Sequence, residues 1–279
     1  NPGVTQSSPE MRSAMAAVLA LSGDTRKADR AFKDAYLLAK GTDSAEDRIA
    51  IDRVLVYFFK MQPEASLEQM EASLRLMSDG EMGAHEYGAL ASQALARSQE
   101  GESPNLAQAI SYLKQAVSFS NSEIPYQKSL LQNLSTALFL EGNCDEAIRV
   151  LEDLVALGDA PASTYNNLAY MLVDCQGEAE KALEYSSIAV EAASNDASLL
   201  DTHGFILFQL GRLEDARMYL SRSVVLRESP ANLLHLAQVL DALGDKERAA
   251  LVVEKIGNNY PQLPPKQQKT LEEIINNIG

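Results

Sequence analysis

Apolar residues recur along most of the chain three and four positions apart, the spacing of an amphipathic helix. Strand-like alternation is absent throughout. The helical stretches come in pairs, and the breaks within the pairs share one pattern. Gly211 is followed five residues later by Ala216, Gly244 by Ala249, Gly142 by Ala147 and Gly23 by Ala28. Seven residues before each Gly stands a small residue: Gly204, Ala237, Ser135 and Ala16. His203, Leu236, Leu134 and Met15 precede these directly, and Leu220, Val253, Leu151 and Phe32 lie four residues beyond each Ala. Small residues let two helices approach closely, and large ones fill the neighbouring grooves. A Gly between two helical patterns suits a helix-ending turn with positive φ.

The Ala that opens each second helix falls at positions 28, 65, 109, 147, 182, 216 and 249. The last three intervals are 35, 34 and 33 residues, which resembles the tetratricopeptide repeat, a helix–turn–helix unit of about 34 residues. The resemblance covers residues 9–256 and is most regular in repeats four to seven. There Tyr165, Asn166, Asn167, Leu168 and Ala169 with Ala182 and Ala189 fit the pattern, with one extra residue at the turn. Repeats two and three depart from it: Gln62-Pro63 replaces the Gly in one, and Ser98–Asn105 makes a longer turn in the other. The resemblance implies an all-α, right-handed α-solenoid of about seven helix pairs. Residues 1–8 form a tail, 9–120 three irregular repeats, 121–260 four regular ones and 261–279 a capping helix. In that last helix Leu271, Ile274, Ile275 and Ile278 share one face, suited to covering the core that a terminal repeat exposes.

The net charge is −15, with 39 acidic residues against 24 Lys and Arg. That balance argues against a nucleic-acid binder, which needs a basic footprint, and against docking on an anionic membrane. The longest apolar runs, such as Ala14–Leu21 and Val54–Phe59, fall short of a membrane span of about 20 residues. The chain opens on Asn1-Pro2-Gly3-Val4 without an initiator Met or a signal-peptide pattern. A removed leader and a segment of a longer protein both fit, and the compartment stays open.

No phosphate-binding Gly loop, H-E-x-x-H pair or G-x-S-x-G elbow occurs. His85, His203 and His235 are too scattered for a metal site, and His203 occupies a position usually held by a buried Leu. The expectation is a protein without catalytic residues, metal or cofactor.

In the resembled family the first helix of each pair lines a concave face that binds peptide or protein partners. On this chain that face is expected to carry Gln132, Asn133, Thr136 and Phe139 from repeat four, and Asn166, Asn167, Tyr170 and Asp174 from repeat five. Repeat six adds Asp201, Thr202, Phe205, Phe208 and Gln209, and repeat seven His235, Gln238 and Asp241. The series Asn133, Asn167, Thr202, His235 resembles a short version of the asparagine ladder of O-GlcNAc transferases. Amide side chains both donate and accept, so they can grip a peptide backbone of any sequence. Tyr170, Phe205 and Phe208 are expected anchors, with interhelix packing the alternative. The acids and the absence of a basic residue on this face favour a neutral or basic ligand.

Cys144 and Cys175 fall near the same edge of the stack, and either a disulfide or two buried thiols fits. The functional expectation is a non-catalytic scaffold, sharpened to an adaptor in a bacterial envelope or secretion assembly. The other readings are a docking region of a larger enzyme and a self-associating structural protein.

Overall fold

The computed structural model describes residues 9–40, 51, 54–56, 58–60, 64–99, 104–120, 124–259 and 265–279. Among them there is no strand. The Gln62-Pro63 turn lies outside the described residues. The chain divides into two compact units, residues 1–142 and 143–279.

The first unit contains α1 (Pro9–Leu21), α2 (Thr25–Lys40), α3 (Leu67–Met77), α4 (Ala84–Gln99), α5 (Pro104–Phe119) and α6 (Ile124–Glu141). The long turn expected over Ser98–Asn105 is shorter, because α4 runs to Gln99 and α5 begins at Pro104. Glu86 is buried here, with both carboxylate oxygens occupied. It accepts from the Gly83 amide at 2.7 Å and from the Tyr36 hydroxyl. Burial, with the Glu86 charge beside it, pushes the Tyr36 hydroxyl far above its ordinary pKa.

The second unit contains α7 (Cys144–Ala156), α8 (Ala162–Met171), α9 (Ala179–Ala192), α10 (Ala197–Gln209), α11 (Leu213–Leu226), α12 (Pro230–Ala242), α13 (Lys246–Asn259) and α14 (Pro265–Ile278). Successive helices pack against one another, and the first helices α8, α10 and α12 also touch in sequence.

The repeated Gly makes the turn within each of these pairs. Gly211 sits at φ 72° and Gly244 at φ 75°, where a side chain would be strained. The Gly211 amide donates to Phe208 O, and the Arg212 amide reaches back to Leu207 O, both at 2.9 Å. Helix C-termini are satisfied in this way by a left-handed cap. The next helix starts at once, with the Ala216 amide donating to Arg212 O.

The repeated Ala is the fourth residue of α2, α7, α9, α11 and α13, and it is fully or almost fully buried in all five. Repeat two differs: Ala65 precedes α3, and the buried fourth residue is Met70. Ser66 caps that helix in a capping box with Gln69, which fixes its start two residues after Ala65.

The small residue of the first helix faces this position. A Cβ on Gly204 would meet Leu220 Cγ at 2.7 Å and the Ala216 carbonyl oxygen at 3.3 Å. Beside it His203 is buried, with Nδ1 2.9 Å from Ser186 Oγ and its ring edge-on to Tyr219. Desolvation lowers its pKa. A further buried polar link ties three helices together. Asn232 of α12 donates to Ser223 Oγ of α11 at 3.0 Å, and Ser223 donates to Ala197 O of α10 at 2.7 Å.

The helix α14 covers the last pair. Ile274 is buried with Leu233, Leu234, Ala237 and Ile256, and Leu271 and Ile278 pack alongside. Asn277 donates to Asp241 Oδ2 at 2.9 Å. In α1, by contrast, Met11, Met15 and Val18 are exposed. Met15 therefore lacks the burial of its counterparts Leu134 and Leu236, because no described helix covers it.

Two measurements check this packing. Gly204→Ala should destabilise the protein by about 1–3 kcal/mol through overpacking. Gly257→Ala, in an exposed helical position with nothing within 4 Å, should stabilise it by about 0.5–1 kcal/mol. Equal denaturation midpoints for the two variants would contradict the close approach at Gly204. The neutral His203 ring contributes stability that is complete above pH 6.5, the unfolded value, and is lost as pH falls through the lower folded value. His203→Leu should therefore flatten the fall of the melting temperature below pH 6.5. An unchanged acid slope would show that other groups cause it.

Candidate functional site

The candidate site is a groove of about 300 Å³ in the second unit. Helical periodicity puts its lining residues on one side of each contributing element. Tyr170 and Asp174 come from α8 and the turn after it. Asp201, Phe205 and Gln209 stand four residues apart along α10, with Thr202 beside them. The helix α12 supplies Ala231, Leu234, His235 and Gln238, and α14 supplies Gln267 and Thr270.

At the centre, His235 is held by two residues one turn apart on α10. Its Nδ1 lies 2.9 Å from Asp201 Oδ1, and both side chains are largely buried. The Phe205 ring stacks on the imidazole at 4.4 Å between centroids. This arrangement fixes the ring planes and presents a flat aromatic surface beside a carboxylate. The lining holds two carboxylates, Asp174 and Asp201, and no Lys or Arg. Gln267 Oε1 is buried without a hydrogen-bond partner.

The structure thus gathers Tyr170, Asp201, Thr202, Phe205, His235 and Gln238 in one groove, together with Asp174 and Gln209. It does not bring in the other expected residues. Phe208 packs partly buried against the cluster of Leu207, Ala216 and Leu220, the interhelix alternative for an aromatic at that position. Asp241 faces α14 and accepts from Asn277. Asn166 and Asn167 are half-buried on α8, outside the groove lining, and Asn166 Oδ1 is buried without a partner. Of the series Asn167, Thr202 and His235, the last two line the groove. Gln132 and Asn133 belong to α6 of the first unit. There Asn133 borders a hollow of about 250 Å³ with Val56, Phe59, Ser92, Gln93 and Ser129.

The contribution of Gln267 and Thr270 was not expected from the sequence. Gln267 continues the apolar face of α14 one turn before Leu271 and Thr270 lies at its edge, the signal that both sit beside the covered core. A capping helix reads as cover for the core, and its side wall on the groove follows only once its docking angle is known.

Cys144 and Cys175 are joined in a disulfide with Cα atoms 6.2 Å apart. Cys144 is the first residue of α7, and Cys175 lies in a stretch of π-helix, Leu172–Gln176, that ends α8. Beside the bridge, Gln176 donates to Asp145 Oδ1 at 3.1 Å. The bridge closes a loop of 31 residues. Its reduction should lower the stability of the second unit by about 3–4 kcal/mol. Urea denaturation with and without a dithiol tests this, and coincident midpoints would contradict it.

Among the described residues no helix is long and apolar enough to cross a membrane, and no cluster of His, Cys, Asp and Glu has metal-binding geometry. A model of the tetratricopeptide repeat matches residues 231–262, the span of α12 and α13. No curated protein matches the chain. Solved structures do. MamA from Desulfovibrio magneticus RS-1 is 20% identical, with 63% of this chain and 93% of that one covered and a TM-score of 0.53. PilF of Pseudomonas aeruginosa is 15% identical, with 89% and 98% covered and a TM-score of 0.56. YrrB, a tetratricopeptide-repeat protein with an unusual peptide-binding site, is 15% identical, with 76% and 100% covered and a TM-score of 0.52. At these identities the likeness is one of fold.

Proposed function

Because the chain is a tetratricopeptide-repeat protein with an all-α solenoid fold, we propose that it is a non-catalytic interaction scaffold. Its groove between α8, α10, α12 and α14 binds a segment of a partner protein that carries a basic side chain. The observation that carries this reading is the groove lining: Tyr170 and the Phe205–His235 stack beside Asp174 and Asp201, with no cation of its own. A lysine or arginine side chain lies well on aromatic faces and pairs with carboxylates. Gln209, Gln238, Gln267 and Thr202 supply donors and acceptors for the ligand backbone. The net charge of −15 steers a basic partner and disfavours an acidic one. The peptide-binding site of YrrB, on a similar fold, supports a peptide as the class of ligand.

The finer reading is an adaptor in a bacterial envelope assembly. The disulfide supports it, since such bonds persist in oxidising compartments such as the periplasm. A role as the docking region of a larger enzyme would use the same groove.

Selection of random displayed peptides on the oxidised protein tests the reading. Lysine- or arginine-containing sequences should be enriched, and their affinity should fall tenfold or more in Phe205→Ala, in line with loss of a buried aromatic anchor of about 2 kcal/mol. The variant must keep a cooperative helical melt. Enrichment of acidic sequences, or unchanged affinity in the variant, would contradict the groove assignment.

A further inference from the structure

In repeat five the first helix carries one residue more than its neighbours. Ala169 stands eight residues before Gly177, whereas Gly204 and Ala237 stand seven before Gly211 and Gly244. The surplus is taken up by the π-helical stretch Leu172–Gln176, closed by Gly177 at φ 68°. Such a widened turn is a common way to insert a residue, and it is less favourable than the α-helix around it. Leu172 O accepts the amides of both Gly177 and Glu178, and Leu172 and Val173 are buried.

The two residues that follow have different destinations. Asp174 lines the groove, and Cys175 is bonded to Cys144 at the start of α7. A second tie of this turn to α7 is the exposed hydrogen bond from Gln176 to Asp145. One irregular turn therefore carries both a groove carboxylate and the covalent link to the preceding helix.

We propose that the Cys144–Cys175 disulfide positions Asp174 in the groove, so that the affinity for a cationic side chain depends on the redox state of the bridge. The inference rests on the groove being a binding site for a basic segment. A dithiol supplies the two electrons and two protons that convert the bridge to two thiols, and itself becomes a disulfide. Without the bridge, the widened turn keeps its surplus residue and its own hydrogen bonds but loses its covalent anchor to α7. The released turn is free to rotate, and a rotation of about 100°, that of one helical residue, takes Asp174 out of the groove. Asp201, held by His235, stays in place. The reduced protein keeps the aromatic surface and loses one of its two groove charges.

The test is an NMR titration of the full chain with a short lysine-containing peptide, capped at both ends, and its norleucine counterpart. In the oxidised protein both peptides should shift groove resonances, the lysine peptide binding more tightly. Reduction with dithiothreitol should weaken the lysine peptide about fivefold or more and leave the norleucine peptide unchanged. Asp174→Asn, with the bridge intact, should show the same weakening and no further loss on reduction. If dithiothreitol unfolds the protein, the two peptides are titrated instead into a Cys144→Ser/Cys175→Ser variant that keeps a cooperative helical melt, with the same loss expected for the lysine peptide alone. Tight binding of the lysine peptide to Asp174→Asn, or an equal loss for both peptides on reduction, would overturn the positioning role while leaving the groove assignment intact. If neither peptide shifts groove resonances in the oxidised protein, the groove assignment falls and takes this inference with it.

Discussion

The close approach of two helix backbones within each pair is the constraint on which the stack depends. It is clearest in repeat six, where the absent Cβ of Gly204 leaves room for Leu220 and the Ala216 carbonyl. A helix pair has too little apolar surface to bury its own faces, so its stability comes from stacking on neighbours. That stacking is regular only if each pair keeps the same internal spacing. The buried Ala at the fourth position of the second helix and the left-handed Gly of the turn secure that spacing. Where they are missing, as in repeat two, Met70 and a capping box take their place. Repeat five keeps both and absorbs one extra residue in a π-turn.

The groove follows from the same spacing. With α8, α10 and α12 side by side, residues four apart on each helix line one surface, and α14 closes its end. The chemistry of that surface is set by few residues. Asp201 and Phe205, one turn apart, fix the imidazole of His235 between them. The irregular turn of repeat five brings in the second carboxylate. The departure from the repeat thus lies at the proposed binding site, which is where local irregularity is expected in a functional protein.

Much of the fold was legible because the Gly–Ala spacing recurs and each recurrence means the same packing contact. The groove was legible in part. Tyr170, Asp201, Phe205 and His235 follow from helical periodicity together with the concave face that the resemblance implies. Phe208 does not, because a Phe beside the packing stripe can turn either to the groove or to Leu207 and Ala216, and only the crossing of the helices decides. The Asp201–His235 bond and the wall formed by Gln267 and Thr270 depend on distances between helices 34 or more residues apart in the chain, for which the sequence holds no local signal. The pairing of Cys144 with Cys175 was open for the same reason.

Hydrogen exchange on the protein with and without a saturating basic peptide tests the central claim most directly. The account predicts added protection concentrated at the end of α8 and along α10, α12 and α14. Protection confined to the second helices α9, α11 and α13 would place the partner elsewhere and contradict the groove as the binding site.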